Sequence, residues 1–370
     1  MHTTRVLRCR LKDKHRSFLS AQAGEVNLVW NYCNELSIKV WERERRFISA
    51  YEIAAYTKGA TKEGLSLHSQ TVQAIAEEFV LRRRQFRKVR LSWRKSGGAH
   101  RSLGWIPLKA SAIVYRHGQI RYCGHFLSLW DSYGLADYEL GCGSISEDAR
   151  GRWYVNVTVK VTVPDHAVHP VEAVLSKELP SIGIDLGLKD LLAASDGAKV
   201  EARRFYRDLE PALAIAQRAG KKSRVKAIHA RIKNRRTNHL HQLSRRLVNG
   251  NAAIFVGNVN ASALAKTRMG KSVLDAGWSA FRTMLSYKSA DAGAWFAEVN
   301  EAYSTQTCSS CDARSGPKGI AGLGIRAWSC ACGVTHDRDI NSARIILPVS
   351  YTHLRAHETD SYLVCRLLLE

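Results

Sequence analysis

Four cysteines and a group of carboxylates share one stretch of the chain, residues 307–341. Cys308 and Cys311 form C-x-x-C; after 18 intervening residues Cys330 and Cys332 form C-x-C. Two close pairs of thiolates on tight turns make the ligand set of a tetrahedral structural zinc site. Four unpaired core cysteines are the bland alternative, but the Gly, Ser and Asp around them are turn formers rather than core residues. Five residues beyond Cys332 comes Asp337-Arg338-Asp339-Ile340-Asn341. A second acidic feature lies in Ser181–Leu188 (SIGIDLGL), where a short apolar strand delivers Asp185 onto a glycine turn. Carboxylates are the groups that hold hard divalent cations.

The charge balance names a class of partner. Lys and Arg exceed Asp and Glu by 56 to 33, a formal net charge of +23, which calls for a polyanion, most simply nucleic acid. The excess is concentrated in LRRRQFRKVRLSWRK. There Arg82, Arg83, Arg84, Arg87, Lys88, Arg90, Arg94 and Lys95 alternate with Phe86 and Trp93, as in a phosphate-lined groove with aromatic walls. A second basic run, KKSRVKAIHARIKNRR, carries Lys221, Lys222 and Arg224. A solvated helix face has the same composition, and the net charge favours binding. No apolar run reaches 18 residues and the first residues lack the apolar core of a signal peptide, so no membrane span or secretion signal is expected. Nine cysteines, four of them clustered, fit a reducing compartment. The expected location is the cytoplasm of a prokaryote.

The elements that must position these residues follow from periodicity. At 370 residues the chain has room for two or three domains. Thr4–Lys12 alternates as a strand, and Ser20–Phe47 is helical, with Val26, Val29, Trp30, Cys33, Leu36, Val40 and Trp41 as its apolar stripe. A helix from Ser69 runs through the basic stretch until Ser96-Gly97-Gly98. Strands resume at Ser111–Arg116 and Gln119–Cys123 around a His117-Gly118 turn, and at Arg152–Val163, which alternates strictly. One early strand and several late ones, with helices between, predict a small barrel with a helical insertion. Proline-rich Asp165–Pro180 reads as a linker. The second half predicts an apolar strand ending near Asp185, a basic helical hairpin over Phe205–Val248 and a buried strand at Ala252–Val256. A helix at Trp278–Ala292, a strand at Trp295–Tyr303 and a final helix opened by Asp339 complete it.

A ribonuclease-H-type nuclease presents its first metal-binding carboxylate in the manner of Asp185, although sugar-kinase-like ATPases begin similarly and a plain buried strand end has the same residues. The whole series is more specific. Strand-Asp185, strand, helix, strand, C-x-x-C…C-x-C and HDRDIN, in this order, resemble the TnpB family. These are insertion-sequence proteins also known as OrfB-type transposases, related to type V CRISPR effector nucleases. GWIPLKASAIVYRHGQIRYCG, EDARGRWYVNVTV and LHSQTVQAIAEEF carry the resemblance through the first half, so that it covers the chain to about Leu347. It implies an α/β and α+β multidomain protein. A wedge-type, OB-like β-barrel would occupy 1–13 and 101–163, with a helical recognition insertion at 14–100 and a linker at 164–180. A RuvC-like, ribonuclease-H-like nuclease domain would occupy 181–303 and 337–347, and a zinc-binding module 304–336. The implied activity is RNA-guided cleavage of double-stranded DNA beside a short adjacent motif, with a guide RNA as cofactor and pairing supplying the specificity. The implied site holds two Mg²⁺ ions about 4 Å apart on carboxylates matched here by Asp185 and Asp339, with Asp337 a turn or supporting residue.

The sequence departs from the family pattern at one place. The strand IFVGNVN, which should end on the middle glutamate, has Gly257 there, and neither Asn258 nor Asn260 carries a charge. Either the glutamate has moved to the next strand as Glu301, with Glu298 as fallback on the opposite face, or the protein is a guided DNA binder that cuts weakly or not at all. A strand-joining transposase on the same fold is a third possibility. Residues 348–370 do not continue the family pattern and read as a non-native read-through tail.

Overall fold

The computed structural model describes residues 2–162, 169–319 and 321–347; the expected read-through tail lies outside them. The chain divides into two compact units, with the boundary between Val163 and Pro164. It is a mixed α/β protein in which a curled antiparallel sheet and helices form the first unit.

The first unit begins with β1 (His2–Leu11), α1 (Arg16–Glu44), α2 (Ala50–Tyr56) and α3 (Ser69–Phe86). The strands β2 (Trp105–Leu108), β3 (Val114–Arg116), β4 (Gln119–Tyr122), β5 (His125–Trp130), β6 (Leu140–Glu147) and β7 (Trp153–Thr162) follow. They form one sheet in the order β2-β6-β7-β1-β5-β4-β3. β1 pairs with β7 along its length, from His2↔Thr162 to Arg10↔Tyr154, but meets β5 only at Arg10 and Leu11, so the sheet curls. No pairing joins β2 to β3 among the described residues, and the expected barrel is an open half-barrel. Period-2 alternation on β7 sends Trp153, Val155, Val157 and Val159 into a core shared with the apolar stripe of α1.

The basic stretch is not one helix. α3 stops at Phe86, Arg87 adopts a left-handed φ of 51°, and residues 88–96 form neither helix nor strand. The helical reading overlooked the alternation of Val89, Leu91 and Trp93 with charged or polar residues. Side chains of α1 replace a strand partner for this arm. Asn34 donates to Leu91 O (2.8 Å) and accepts from Leu91 N (2.9 Å). Asn31 does the same with Arg94 at 2.9 and 2.8 Å. Trp30 Nε1 donates to Ser92 O, and Ser37 Oγ to Val89 O. A side-chain amide offers the donor and acceptor of a peptide group, and asparagines at 27, 31 and 34 share one helix face.

The second unit contains α4 (Val171–Leu175), β8 (Ser181–Leu186), β9 (Asp190–Ala194), β10 (Lys199–Glu201), α5 (Phe205–Arg218) and α6 (Lys222–Gly250). Then come β11 (Ala253–Gly257), α7 (Ala261–Leu264), α8 (Gly270–Ala276), α9 (Trp278–Ala292), β12 (Trp295–Val299), β13 (Ala327–Ser329), β14 (Thr335–Asp337) and a closing helix α10 at 338–347. The five-stranded sheet has the order β10-β9-β8-β11-β12, with β8, β11 and β12 parallel. Parallel strands are buried on both faces. Ile254 and Val256 of β11 pack with Leu243, Phe281 and Leu285, whereas Ala253 and Phe255 pack with Val174 and Ile346. Val174 is fully buried, so residues 171–175 are a core helix and not part of a linker. β12 ends at Val299, which places Glu301 in the loop beyond the expected strand.

The amide ladder predicts a graded loss. Asn34→Ala removes two hydrogen bonds at a buried position and is expected to cost about 2 kcal/mol in chemical denaturation, with Asn31→Ala, partly exposed, costing about half as much. Equal losses below about 0.5 kcal/mol would show that the arm does not depend on α1.

Candidate metal centre and carboxylate cluster

The four cysteines come together. Cys308 and Cys311 lie on the loop after β12, and Cys330 and Cys332 on the turn joining β13 to β14, where Gly333 takes a φ of 86°. Their Sγ atoms all lie within 4.8 Å of one another. Cys308–Cys332 is 3.8 Å and Cys311–Cys330 is 3.6 Å. The S–S edge of a tetrahedron with Zn–S bonds of 2.3 Å is about 3.8 Å, so the set fits a metal ion such as zinc. Donors already face the sulfurs. Ser310 N approaches Cys308 Sγ at 3.4 Å, and Ser315 Oγ approaches Cys330 Sγ at 3.1 Å. The Cys332 backbone N–H, with the Ser315 hydroxyl, pulls the Cys330 thiol down to about 6, favouring the thiolate that a metal needs.

The DRDIN segment welds this knob to the sheet. Asp337 Oδ1 accepts from the N–H groups of Asp339 and Ile340, both at 3.1 Å, and so caps α10; its Oδ2 pairs with Lys199 Nζ at 2.7 Å. Asn341, buried, accepts from Ser309 N (2.9 Å) and donates to Thr307 O (2.7 Å) and Ser304 O (3.3 Å). The buried hydroxyls of Ser304 and Ser342 lie 2.7 Å apart. At the other side α10 rests on β8 at Gly183, where any Cβ would collide with Ala343 O and touch Leu347.

This packing brings three carboxylates near enough to interact electrostatically, although among the described residues only the four cysteines have their ligand atoms within 4.8 Å of one another. Asp185 stands at the end of β8, Asp339 in the first turn of α10, and Glu301 in the loop after β12. Burial pushes the Asp185 carboxyl up to about 7, helped by the negative charges of Glu301 and Asp339 and opposed by the Ser342 hydroxyl and Arg338. Burial also raises Glu301, against the pull of Arg282 and the Val259 backbone. Glu301 Oε2 is buried without a hydrogen-bond partner. Asp339 meets Arg326 Nη1 at 3.1 Å and Arg338 Nε at 3.8 Å. A Cβ placed on Gly257 would run into Glu301 Oε2 and lie 3.3 Å from both its Cβ and its Cδ. The Glu301 carboxylate therefore occupies the space that a side chain at 257 would need. Glu298 is largely exposed and paired with Arg282 Nη1 at 2.9 Å.

The basic residues divide by role. Arg83 is buried, hydrogen-bonded to Ser37 Oγ at 2.9 Å and to Ile48 O, with Phe47 and Phe79 against its guanidinium. It is a core residue and not a groove residue, because it falls four positions after Phe79 on the inward face of α3. Arg94 is spent on Asn27 Oδ1 (2.6 Å) and Leu103 O (2.7 Å). Arg82 pairs with Glu78 at 2.6 Å yet stays exposed. Arg84, Arg87, Lys88, Arg90 and Lys95 are exposed, as are Lys221, Lys222 and Arg224. A groove of about 860 Å³ is lined by Trp30, Arg82, Phe86, Lys88, Arg90 and Trp93, among others. Arg282, Arg326, Lys199 and Ser342 escaped the sequence reading; nothing in their local spacing marks them.

Comparison with known proteins agrees with this picture. A family model described as "Cas12f1-like, TNB domain" matches residues 278–346, and one described as "Probable transposase" (OrfB of IS605) matches residues 157–268. A protein of Streptomyces pristinaespiralis named "Putative RNA-guided DNA endonuclease" is 30% identical over 358 residues, covering 90% of this chain and 86% of its own. "Putative RNA-guided DNA endonuclease InsQ" of Escherichia coli K12 is 25% identical, covering 56% of each chain. Among solved structures, the protein chain in a cryo-EM structure of the Cas12f1–sgRNA–target DNA complex superposes with a TM-score of 0.58 at 12% identity. The match covers 93% of this chain and 98% of that one, a likeness of fold.

The raised Asp185 carboxyl has a consequence for stability. Its folded value lies above the ordinary 3.8, so the metal-free protein loses stability as pH rises from about 4 towards about 7, and the cost disappears below that window. Asp185→Asn is expected to stabilise the metal-free protein at pH 7.5 by roughly 1–3 kcal/mol and to flatten that slope. Denaturation at pH 5 and 7.5 checks both; a destabilised variant would contradict the crowding of charge.

Proposed function

The chain belongs to the TnpB (OrfB-type) family, and from that premise we propose that it is an RNA-guided, metal-dependent DNA endonuclease. Its hydrolytic site is the cluster of Asp185, Glu301 and Asp339 on a RuvC-like second unit. The observation that carries the proposal is the contact at Gly257, where a Cβ would run into the Glu301 carboxylate. On this reading Glu301 stands in for the glutamate that β11 lacks. A surface glutamate has no reason to be buried with an unpartnered oxygen there, whereas a ligand awaiting a cation does. Burial together with the charges of Glu301 and Asp339 raises the proton affinity of Asp185, and carboxylates of this kind suit hard divalent cations such as Mg²⁺. When bound, two such ions supply activation of the attacking water and stabilisation of the leaving 3′ oxygen.

The protein's own groups prepare that chemistry. Asp185 gives up its proton to become a ligand, so cation binding strengthens as pH rises through about 7. Arg282 opposes the burial that raises the proton affinity of Glu301, and Arg326 and Arg338 hold Asp339 in place. The cysteine centre fixes the start of α10 and therefore Asp339. The exposed cations of 84–95, with Phe86 and Trp93, and those of 221–224 supply contacts to a guide RNA and to target DNA. Base pairing supplies the sequence readout, and a short adjacent motif licenses the target.

Cleavage of a plasmid carrying a target matched to the RNA that co-purifies with the protein tests the proposal. With Mg²⁺ the wild type is expected to cut. Glu301→Gln, Asp185→Ala and Asp339→Ala should fall below about a hundredth of its rate with binding retained, and Glu298→Gln should still cut. Gly257→Ala, which crowds Glu301, should cut at least about tenfold more slowly. A wild type that binds its target and never cuts would make the protein a guided DNA binder; joined DNA ends would make it a strand-transfer enzyme.

A further inference from the structure

His336 is the residue of the cysteine centre that the ligand count leaves out. It sits in the middle of β14, paired with Trp328 of β13, and is buried at 3% exposure. Its ring lies 4.8 Å from that of Trp328. Its Nε2 lies 3.0 Å from the Sγ of Cys308, itself fully buried. Distance decides what this contact is. Two ligands on one tetrahedral zinc stand about 3.8 Å apart if both are sulfur and about 3.6 Å apart if one is an imidazole nitrogen. At 3.0 Å the nitrogen is inside both edges, which is hydrogen-bond range for a nitrogen donor on sulfur and too close for a fellow ligand.

Charge explains why such a donor is needed. Four thiolates around a divalent ion leave a net charge of −2, half of it on sulfurs removed from water. Cys311 and Cys332 are exposed, so solvent reaches that side of the centre. Cys308 has only Ser310 N, at a long 3.4 Å, and His336. The next residue, Asp337, caps α10, so whatever holds His336 also holds the backbone leading to Asp339.

We propose that His336 is a positioning residue of the metal centre: its Nε2–H donates to the Cys308 thiolate, holds that sulfur in its ligand position and slows loss of the ion. The inference rests on the four thiolates being a zinc site, not on the nuclease reading. The test uses the full chain and three proteins: wild type, His336→Phe, which keeps a buried ring but no donor, and His336→Gln, which restores an N–H. Zinc content, the rate of zinc transfer to a chelating dye, and the absorption spectrum of the Co²⁺-substituted protein are measured. The wild type is expected to hold one zinc and to give a four-thiolate cobalt spectrum. His336→Phe should keep that spectrum but lose zinc about 10- to 100-fold faster, with His336→Gln intermediate. Equal rates in wild type and His336→Phe overturn the proposal, as does a wild-type spectrum of three thiolates and one nitrogen, which would make His336 a ligand. A wild type without zinc removes the metal reading as well. Should His336→Phe fail to fold by circular dichroism, His336→Leu, apolar and without a donor, takes its place: faster zinc loss than wild type supports the proposal and an equal rate overturns it.

Discussion

Like charges crowded in a site of low polarity repel, and the second unit is arranged around resisting that repulsion. The contact that resists it is the approach of α10 to β8 at Gly183. With no side chain at 183, the carbonyl of Ala343 comes close to the strand, and the first turn of α10 swings Asp339 towards Asp185. The hydroxyl of Ser342, on the same helix, hydrogen-bonds Asp185. Remove that approach and Asp339 moves away from Asp185, whose proton affinity then falls.

The cysteine knob supplies the opposing support. A helix of ten residues lying at the end of a chain segment would fray at its start. Here Asp337 caps it, Asn341 ties it to the loop of Cys308, and Ser342 ties it to Ser304. The Ser342–Ser304 and Asn341–Ser304 ties are buried and the others partly so, which limits their exchange for water. The knob and the carboxylate cluster are thus one construction, and the short distance between Cys332 and Asp339 in the sequence reflects a mechanical need.

Much of this was legible in advance because spacing and alternation are local. The cysteine pairs, the strand before Asp185, the pattern of β7 and the helix of 278–292 all declare themselves within a few residues. The errors came where tertiary partners decide. The helical reading held to Phe86 and failed over 88–95, because α1 offers a row of amides that a non-helical arm can use, a partner some sixty residues away. Arg83 looked like one cation among many, but its place on α3 turns it inward. Residues 171–175 looked like linker because prolines flank them, whereas Val174 fills a core formed with Phe255 and Ile346. Glu301 was named by asking what could stand in for a missing charge. Arg282 and Arg326, which act only through the folded site, left no such trace.

The relation between Gly257 and Glu301 is one of exclusion. Two positions compete for a single volume, so a glutamate at the end of β11 and a long side chain from the loop after β12 cannot both be accommodated. A side chain at 257 would force the Glu301 carboxylate to another rotamer, and so away from the end of β11. The absence of a side chain at 257 thus acts at a distance from its own backbone: it decides where the end of a loop glutamate can rest.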